Sequence, residues 1–344
     1  MKRWIAVTAL LIGLADAAAG QVAPTGQGTP KVKVGAVVLT GVAPIVVAVD
    51  KGHFREEGLD AELVNFQFPV AMPAAVVSGD LDFGVMSLGA AFFNLAGKGG
   101  VKIVAGVGTE RPGYRQLGYF VSTKAYEAGL RRLEDLAGRS VGVIVLGTSS
   151  HYAVVAAMRK YNIPPSSVRV VQLQSVSNQV AAVKGNQVDM AILHVGQIAA
   201  LEQAGLGRTI GWVGDVESHL FTTMFASPRT IAEKPDVVEK AVRALQKGSA
   251  EYNRIFNQRD TAGNFKPGPG YDDMLKLLAP RMPPGDPHVL ASALGYADPG
   301  TNIDMAGVAR QIANWQDAGM VDKGVTAEAI VDSSFVAKLP NRGP

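Results

Sequence analysis

"GDLDFGVMSLGAA" fills residues 79–91, and "GNQVDMAILHVGQIA" fills residues 185–199. Each has an Asp, a short apolar run, one residue with a polar side chain, and a Gly that opens a second apolar run. Asp82 matches Asp189, Ser87 matches His194 and Gly89 matches Gly196, every pair 107 positions apart. The same offset carries Val34–Leu39 onto Val141–Leu146, Val47 onto Val154, Val64 onto Val171, Ala75-Val76 onto Ala182-Val183 and Ile103 onto Ile210. The identities are sparse but fall at strand and turn positions. A period this long is far from that of a solenoid repeat. It predicts two structurally equivalent lobes.

The local pattern inside each copy sets the class. In the first copy, apolar runs predict strands at 34–39, 61–66, 81–86 and 101–106, separated by helices at 70–78 and 90–96. The second copy predicts strands at 141–146, 168–173, 188–193 and 208–213, with helices at 150–161, 177–184 and 197–204. Alternation at this spacing implies βαβ units. The near-continuous apolar run Val34–Leu39 reads as a parallel strand buried on both faces. "RQLGYFVSTKAY" (115–126) predicts a connecting strand, and "LFTTMFAS" (220–227) a strand that crosses back. "LEDLAGRS" reads as a short helix and turn leading into the second lobe. From about residue 229 the chain reads as mostly helical, with a Gly/Pro-rich loop at 258–270 and a late helix in "VARQIANWQDAGMV" ending near Gly319. The fold class is therefore α/β: two lobes, each a mainly parallel sheet flanked by helices, with two crossing strands as the hinge. Lobe 1 takes residues 31–114 and 220–344, and lobe 2 takes 115–219.

Bulk properties narrow the function. Net charge is +3 without runs of Lys or Arg, which gives no warrant for nucleic-acid binding. "MKR", an apolar run from Trp4 to Leu14 and the small residues "ADAAAG" form a signal peptide over residues 1–19, with cleavage near Ala17 or Ala19. Its apolar run falls short of the roughly 20 residues that span a bilayer. Residues 20–30, rich in Gly, Pro and Thr, are expected to be a flexible lead-in. The chain has no Cys, which excludes a lipid-modified cysteine, disulfides, Cys-zinc sites and thiol catalysis. The expected mature product is a periplasmic monomer that is not a lipoprotein.

In open α/β sheets, ligands bind beyond the carboxyl ends of strands, where helix N-termini point. The turns at those ends supply the candidates. Thr148, Ser149, Ser150 and His151 follow a buried strand and open a helix, where hydroxyls cap the helix, bind an anion, or both. Thr40, Gly41 and Val42 are the counterpart in lobe 1, with Pro44 suited to a first helical turn. Ser87, Leu88 and Gly89 face His194, Val195 and Gln197 by the repeat. Phe68 and Ser175 sit at further strand ends. Arg111 and Tyr114, with Arg115, lie at the first crossing, either covering an anionic ligand or as solvated hinge residues. His151 and His194 either line the cleft or are satisfied structural residues. No His pair has metal-binding spacing, no nucleophile elbow is present, and no acid–base constellation stands out. Neither a metal nor a cofactor is expected.

Taken with "APIVVAVDKGHFREEGLDAELVNF", "LEDLAGRSVGVIVLGTSSHYAVVAAM" and "WQDAGMVDKGVTAEAIVDSSFV", these turns give a chain that resembles periplasmic solute-binding proteins of the sulfonate/nitrate/taurine type. That family is related to the thiamin-pyrimidine binding proteins. The resemblance implies a type II-like periplasmic binding protein fold. It implies delivery of a small solute to an ABC permease driven by a cytoplasmic ATPase. Many relatives carry an aromatic residue followed by Glu-Pro at the last turn, where this chain has His194, Val195 and Gly196. That departure removes an acidic contact, argues against an amine-bearing ligand such as taurine, and favours an anionic sulfonate or carboxylate. Two other classes compete. Enzymes of related fold serve pyrimidine synthesis, with a cysteine-rich motif absent here, or the menaquinone pathway, which is cytoplasmic. A periplasmic sensor would present its solute to a membrane receptor instead.

Overall fold

Two five-stranded sheets organise the chain, and one hydrogen-bond device recurs in both. The computed structural model describes residues 28–37, 40–66, 71–261, 264–281, 287–292 and 294–337. The expected signal peptide, most of the lead-in and Phe68 lie outside the described residues.

The strands are β1 (Lys31–Val37), β2 (Asp60–Phe66), β3 (Phe83–Ser87), β4 (Lys102–Glu110), β5 (Leu117–Ser122), β6 (Ser140–Val143), β7 (Arg169–Gln172), β8 (Met190–His194), β9 (Gly207–Trp212) and β10 (His219–Ala226). The first sheet has the order β2-β1-β3-β10-β4 and the second β7-β6-β8-β5-β9. In the first, β10 runs antiparallel to both its neighbours; in the second, β5 does the same. Both sheets are thus mixed, with a single reversed strand. The second sheet is contiguous from β5 to β9, whereas β10 returns to the first sheet from beyond it.

The 107-residue repeat is structural. Val34 pairs with Leu63 and Phe83, while Val141 pairs with Val170 and Met190, an identical register in both sheets. The Asp that opened the repeat explains the register. Asp82 accepts the Lys33 N–H at 2.9 Å through its carboxylate and returns its own N–H to the Lys33 carbonyl. Asp189 accepts the Ser140 N–H at 2.7 Å and returns its N–H to the Ser140 carbonyl, with the Ser140 hydroxyl as a further donor at 2.7 Å. A one-residue slip would abolish these bonds and turn every side chain to the opposite face. Gly35 and Gly142 share a second constraint: a Cβ on either would lie 2.6 Å from a leucine methyl, that of Leu81 or of Leu173.

Helices cover both faces. The 22-residue helix Pro235–Phe256 buries Val238, Ala241, Val242, Leu245 and Tyr252 at helical spacing and packs on helix Ala43–Asp50. The first sheet belongs to one large apolar core. The second sheet has one core on each face, Tyr119 and Val121 on one side and Phe120 and Leu193 on the other.

Several expected boundaries shift. The first strand begins at Lys31 rather than Val34, and the fourth extends to Glu110. The strand expected over 141–146 stops at Val143, because the next backbone donors find side chains instead. Ile144 N–H goes to Ser150 Oγ at 3.3 Å and Leu146 N–H to Gln172 Oε1 at 3.1 Å. Val145 and Leu146 are left exposed. The late helix spans Met305–Asp317, with Gly319 at positive φ just beyond it.

Replacing Asp189 by Ala orphans two donors, whereas Asp82→Ala orphans one backbone N–H and a surface contact to Lys234. Asp189→Ala is expected to cost about 1–3 kcal/mol and Asp82→Ala less. Urea denaturation midpoints of the two variants give that ordering or refute it.

Candidate functional site

The strand-end turns of the two sheets meet. Ser87 ends β3 and Gly89, extended at φ −161°, opens helix Ala90–Gly97. The first N–H of that helix, on Ala90, donates to the Gly147 carbonyl of the other sheet's turn at 2.9 Å. A Cβ on Gly89 would sit 2.6 Å from that same carbonyl oxygen. Only glycine permits this approach of backbone to backbone.

The opposing turn is built for an open helix end. Thr148 precedes helix Ser149–Lys160 and caps nothing. Its hydroxyl donates to the Val145 carbonyl at 2.6 Å and lies 3.1 Å from Ser150 Oγ, which accepts from Ile144. The first intrahelical bond runs from Tyr152 N–H to the Thr148 carbonyl. The N–H groups of Ser149, Ser150 and His151 therefore open the helix without a side-chain cap, at the positive end of its dipole. Ser149 and Thr148 are half-buried, and Ser150 is buried. His151 holds the turn from behind: its Nδ1 accepts Gly147 N–H at 3.0 Å, and its ring lies 5.2 Å from that of Trp315. Burial lowers its pKa below the usual 6.5, which keeps the ring neutral and Nδ1 free to accept.

The other expected residues divide. Thr40–Val42 form a single 3₁₀ turn, with Val42 buried and Gly41 packed against Thr222, Phe221 and Gln116. Thr222 pairs with Ser87, so the Gly41 and Ser87 turns adjoin. His194 ends β8, half-buried, and loss of hydration takes its pKa down to about 4, so it is uncharged at neutral pH. Val195 N–H donates to the Gln116 carbonyl at 3.2 Å, just as Leu88 N–H donates to the Phe221 carbonyl at 3.0 Å. Gln197 Oε1 is buried without a partner among the described residues.

Three residues are engaged elsewhere. Ser175 caps helix Val176–Lys184 by accepting Asn178 N–H at 3.1 Å. Arg111 and Tyr114 join a stack on the crossing segment: the Arg111 guanidinium lies 4.4 Å from the Tyr296 ring, and that of Arg259 lies 4.1 Å from the Tyr114 ring. The Tyr114 hydroxyl donates to the Asn257 carbonyl at 3.0 Å. These contacts brace the crossing.

Sequence reading missed Gln116, Phe221 and Glu110. Glu110, buried at the end of β4 opposite His219, has no partner for either oxygen among the described residues. Burial, with nearby Asp215 adding to it, holds its carboxyl well above the usual range. Charge patterning could not have found it, since a lone Glu on a predicted strand looks like a surface residue. Among the described residues no cluster of His, Asp and Glu could hold a metal ion.

The profile of the family described as NMT1/THI5 like matches residues 40–254, well over half of the chain. The chain belongs to that family. Its two sheets are those of the periplasmic binding protein fold. The aliphatic sulphonate binding protein SsuA of Escherichia coli superposes with a TM-score of 0.68 at 18% identity, covering 91% of this chain and 96% of that one. A desulfurization enzyme, DSZB, shares the fold with a TM-score of 0.59 at 12% identity, covering 90% of this chain and 98% of that one. By sequence, a binding protein of Brucella abortus is 24% identical over 60% of this chain and 61% of its own length. The taurine-binding periplasmic protein of Escherichia coli is 26% identical over 48% of this chain and 49% of its own. The match thus spans about three fifths or less of these relatives. No described helix is long and apolar enough to cross a membrane.

His194 gives a pH test. Its folded pKa lies below the unfolded value of 6.5, so the unfolded state binds the proton more tightly. The stability it contributes is complete above pH 6.5 and is lost as pH falls towards 4. Thermal midpoints of His194→Gln are expected to fall less than those of the wild type across that window; parallel curves would contradict the burial of a neutral ring.

Proposed function

We propose that this protein is the extracytoplasmic solute-binding component of an ABC importer, and that it takes a small organic anion, a sulfonate or carboxylate, between its two sheets. One observation carries the reading: the uncapped N-terminus of helix Ser149–Lys160 opens beside the Ser87–Gly89 turn of the other sheet. Backbone N–H groups and the helix dipole there suit a negative group, and Ser87 and Ser149 hydroxyls can complete its hydrogen bonds. The two neutral histidines add no charge, so selectivity rests on directed donors rather than on bulk attraction. A relative named for taurine and structural neighbours named for sulfonates support a binding role.

The mechanism is closure. A solute seated on one turn recruits the other, the sheets rotate about the two crossings, and water leaves. Only differential affinity for the closed form sustains it. The Ala90–Gly147 hydrogen bond then becomes the latch of that form. A permease and its ATPase, and export to the periplasm, complete the reading.

Thermal unfolding against sulfonates, aliphatic and aromatic carboxylates, nitrate, taurine and neutral controls tests it. A solute at 100 times its dissociation constant adds about 2.7 kcal/mol, seen as a raised midpoint. A selective rise without turnover is expected; turnover of the solute would instead place the chain with the enzymes of this fold. Ser87→Ala combined with Ser149→Ala should weaken binding at least tenfold while leaving the ligand-free midpoint within a few degrees. Gly89→Ala should abolish closure, because its methyl group would meet the Gly147 carbonyl, and scattering should then report no compaction on adding solute.

A further inference from the structure

The two reversed strands enter their sheets through equivalent residues. Phe221, on β10, accepts Leu88 N–H at its carbonyl; Gln116, just before β5, accepts Val195 N–H. The side chain of Phe221 is buried in the apolar core of the opposite sheet. That of Gln116 crosses the other way. It packs against Gly295, and its Nε2 lies 3.0 Å from where a Cβ on Gly41 would stand. The gap it lines with Gly108, Tyr252 and Tyr296 is too narrow for a water molecule. Gln116 is only 1% exposed, and among the described residues neither its Nε2 nor its Oε1 has a partner. Its neighbour Tyr252 is satisfied, donating to the Gly295 carbonyl at 2.8 Å.

An amide buried with both ends unpaired is costly, whereas an apolar group of the same shape would not be. The cost depends on the arrangement of the two sheets. The backbone of Gln116 moves with the second sheet, through Val195, while Gly41 and Gly295 belong to elements packed on the first. On the closure reading, rotating the sheets apart would let water reach the amide and restore its hydrogen bonds.

We propose that Gln116 sets the affinity of the cleft by opposing closure in the absence of solute, an inference that rests on the closure reading above. It is a positioning residue, acting through the balance of open and closed forms rather than by touching the solute. At the equivalent place in the other half, Phe221 carries no such penalty. The asymmetry keeps the empty protein open, so that the closed surface signals a loaded cleft.

The absence of Cys makes the test clean. Lys98→Cys and Lys184→Cys, exposed on opposite sheets, carry spin labels whose separation reports opening in the full mature chain. Without solute, the wild type should populate mainly the longer distance. Gln116→Met should move that population towards the shorter distance and tighten binding of the best solute about tenfold, the equivalent of about 1.4 kcal/mol. A wild type already closed without solute overturns the inference, and needs no variant to fold. An unchanged distance distribution in Gln116→Met also overturns it; if binding weakens at the same time, Gln116 is a solute contact instead. Failure of every solute to bind would sink the functional reading, yet the solute-free distances would still decide the role of Gln116.

Discussion

A single aspartate per sheet fixes the geometry on which everything else depends. By taking a backbone N–H from the first strand of its half and returning its own, Asp82 or Asp189 locks the first and third strands in register. The turns that follow those strands, at Gly41 and Ser87 in one sheet and Gly147 and His194 in the other, then emerge at one edge. Backbone chemistry can act there because it is held there. The 2.9 Å Ala90–Gly147 hydrogen bond forms where the two turns meet.

The site itself is built from main chain more than from side chains. Glycine at 89 lets one sheet's turn touch the other's carbonyl, and an uncapped helix presents its first backbone donors beside it. The nearby histidines are held neutral by burial, one of them as an acceptor that shapes the Gly147 turn. On the proposed reading, such a site would recognise a negative group by direction and exclusion of water. It also leaves recognition sensitive to small rotations of the sheets, and so couples binding to their relative position.

Much of this was legible in the sequence, because the repeat is written in residues whose roles are local. Asp82 and Asp189, Gly35 and Gly142, and the apolar strands all act through neighbours at fixed offsets. The edge of β6 was not legible, since Ile144 and Leu146 look like strand residues until Ser150 and Gln172 claim their N–H groups. Ser175, a strand-end candidate, caps a helix; Arg111 and Tyr114, read either as cover for an anion or as hinge residues, stack on the crossing. Gln116 carried no signal at all. Its burial comes from Gly41 and Gly295, at distances along the chain that no local pattern spans, and a polar residue before a strand looks solvated.

The position of β10 has a consequence for how the chain is assembled. It lies between β3 and β4, which therefore have no ladder to each other. As the chain emerges from its N-terminus, the first sheet stays split, with two facing strand edges unsatisfied, until His219–Ala226 arrives. The second sheet needs nothing beyond Trp212. The half begun first is completed last, and its open edges must be kept from other partners for the time it takes to make more than a hundred residues.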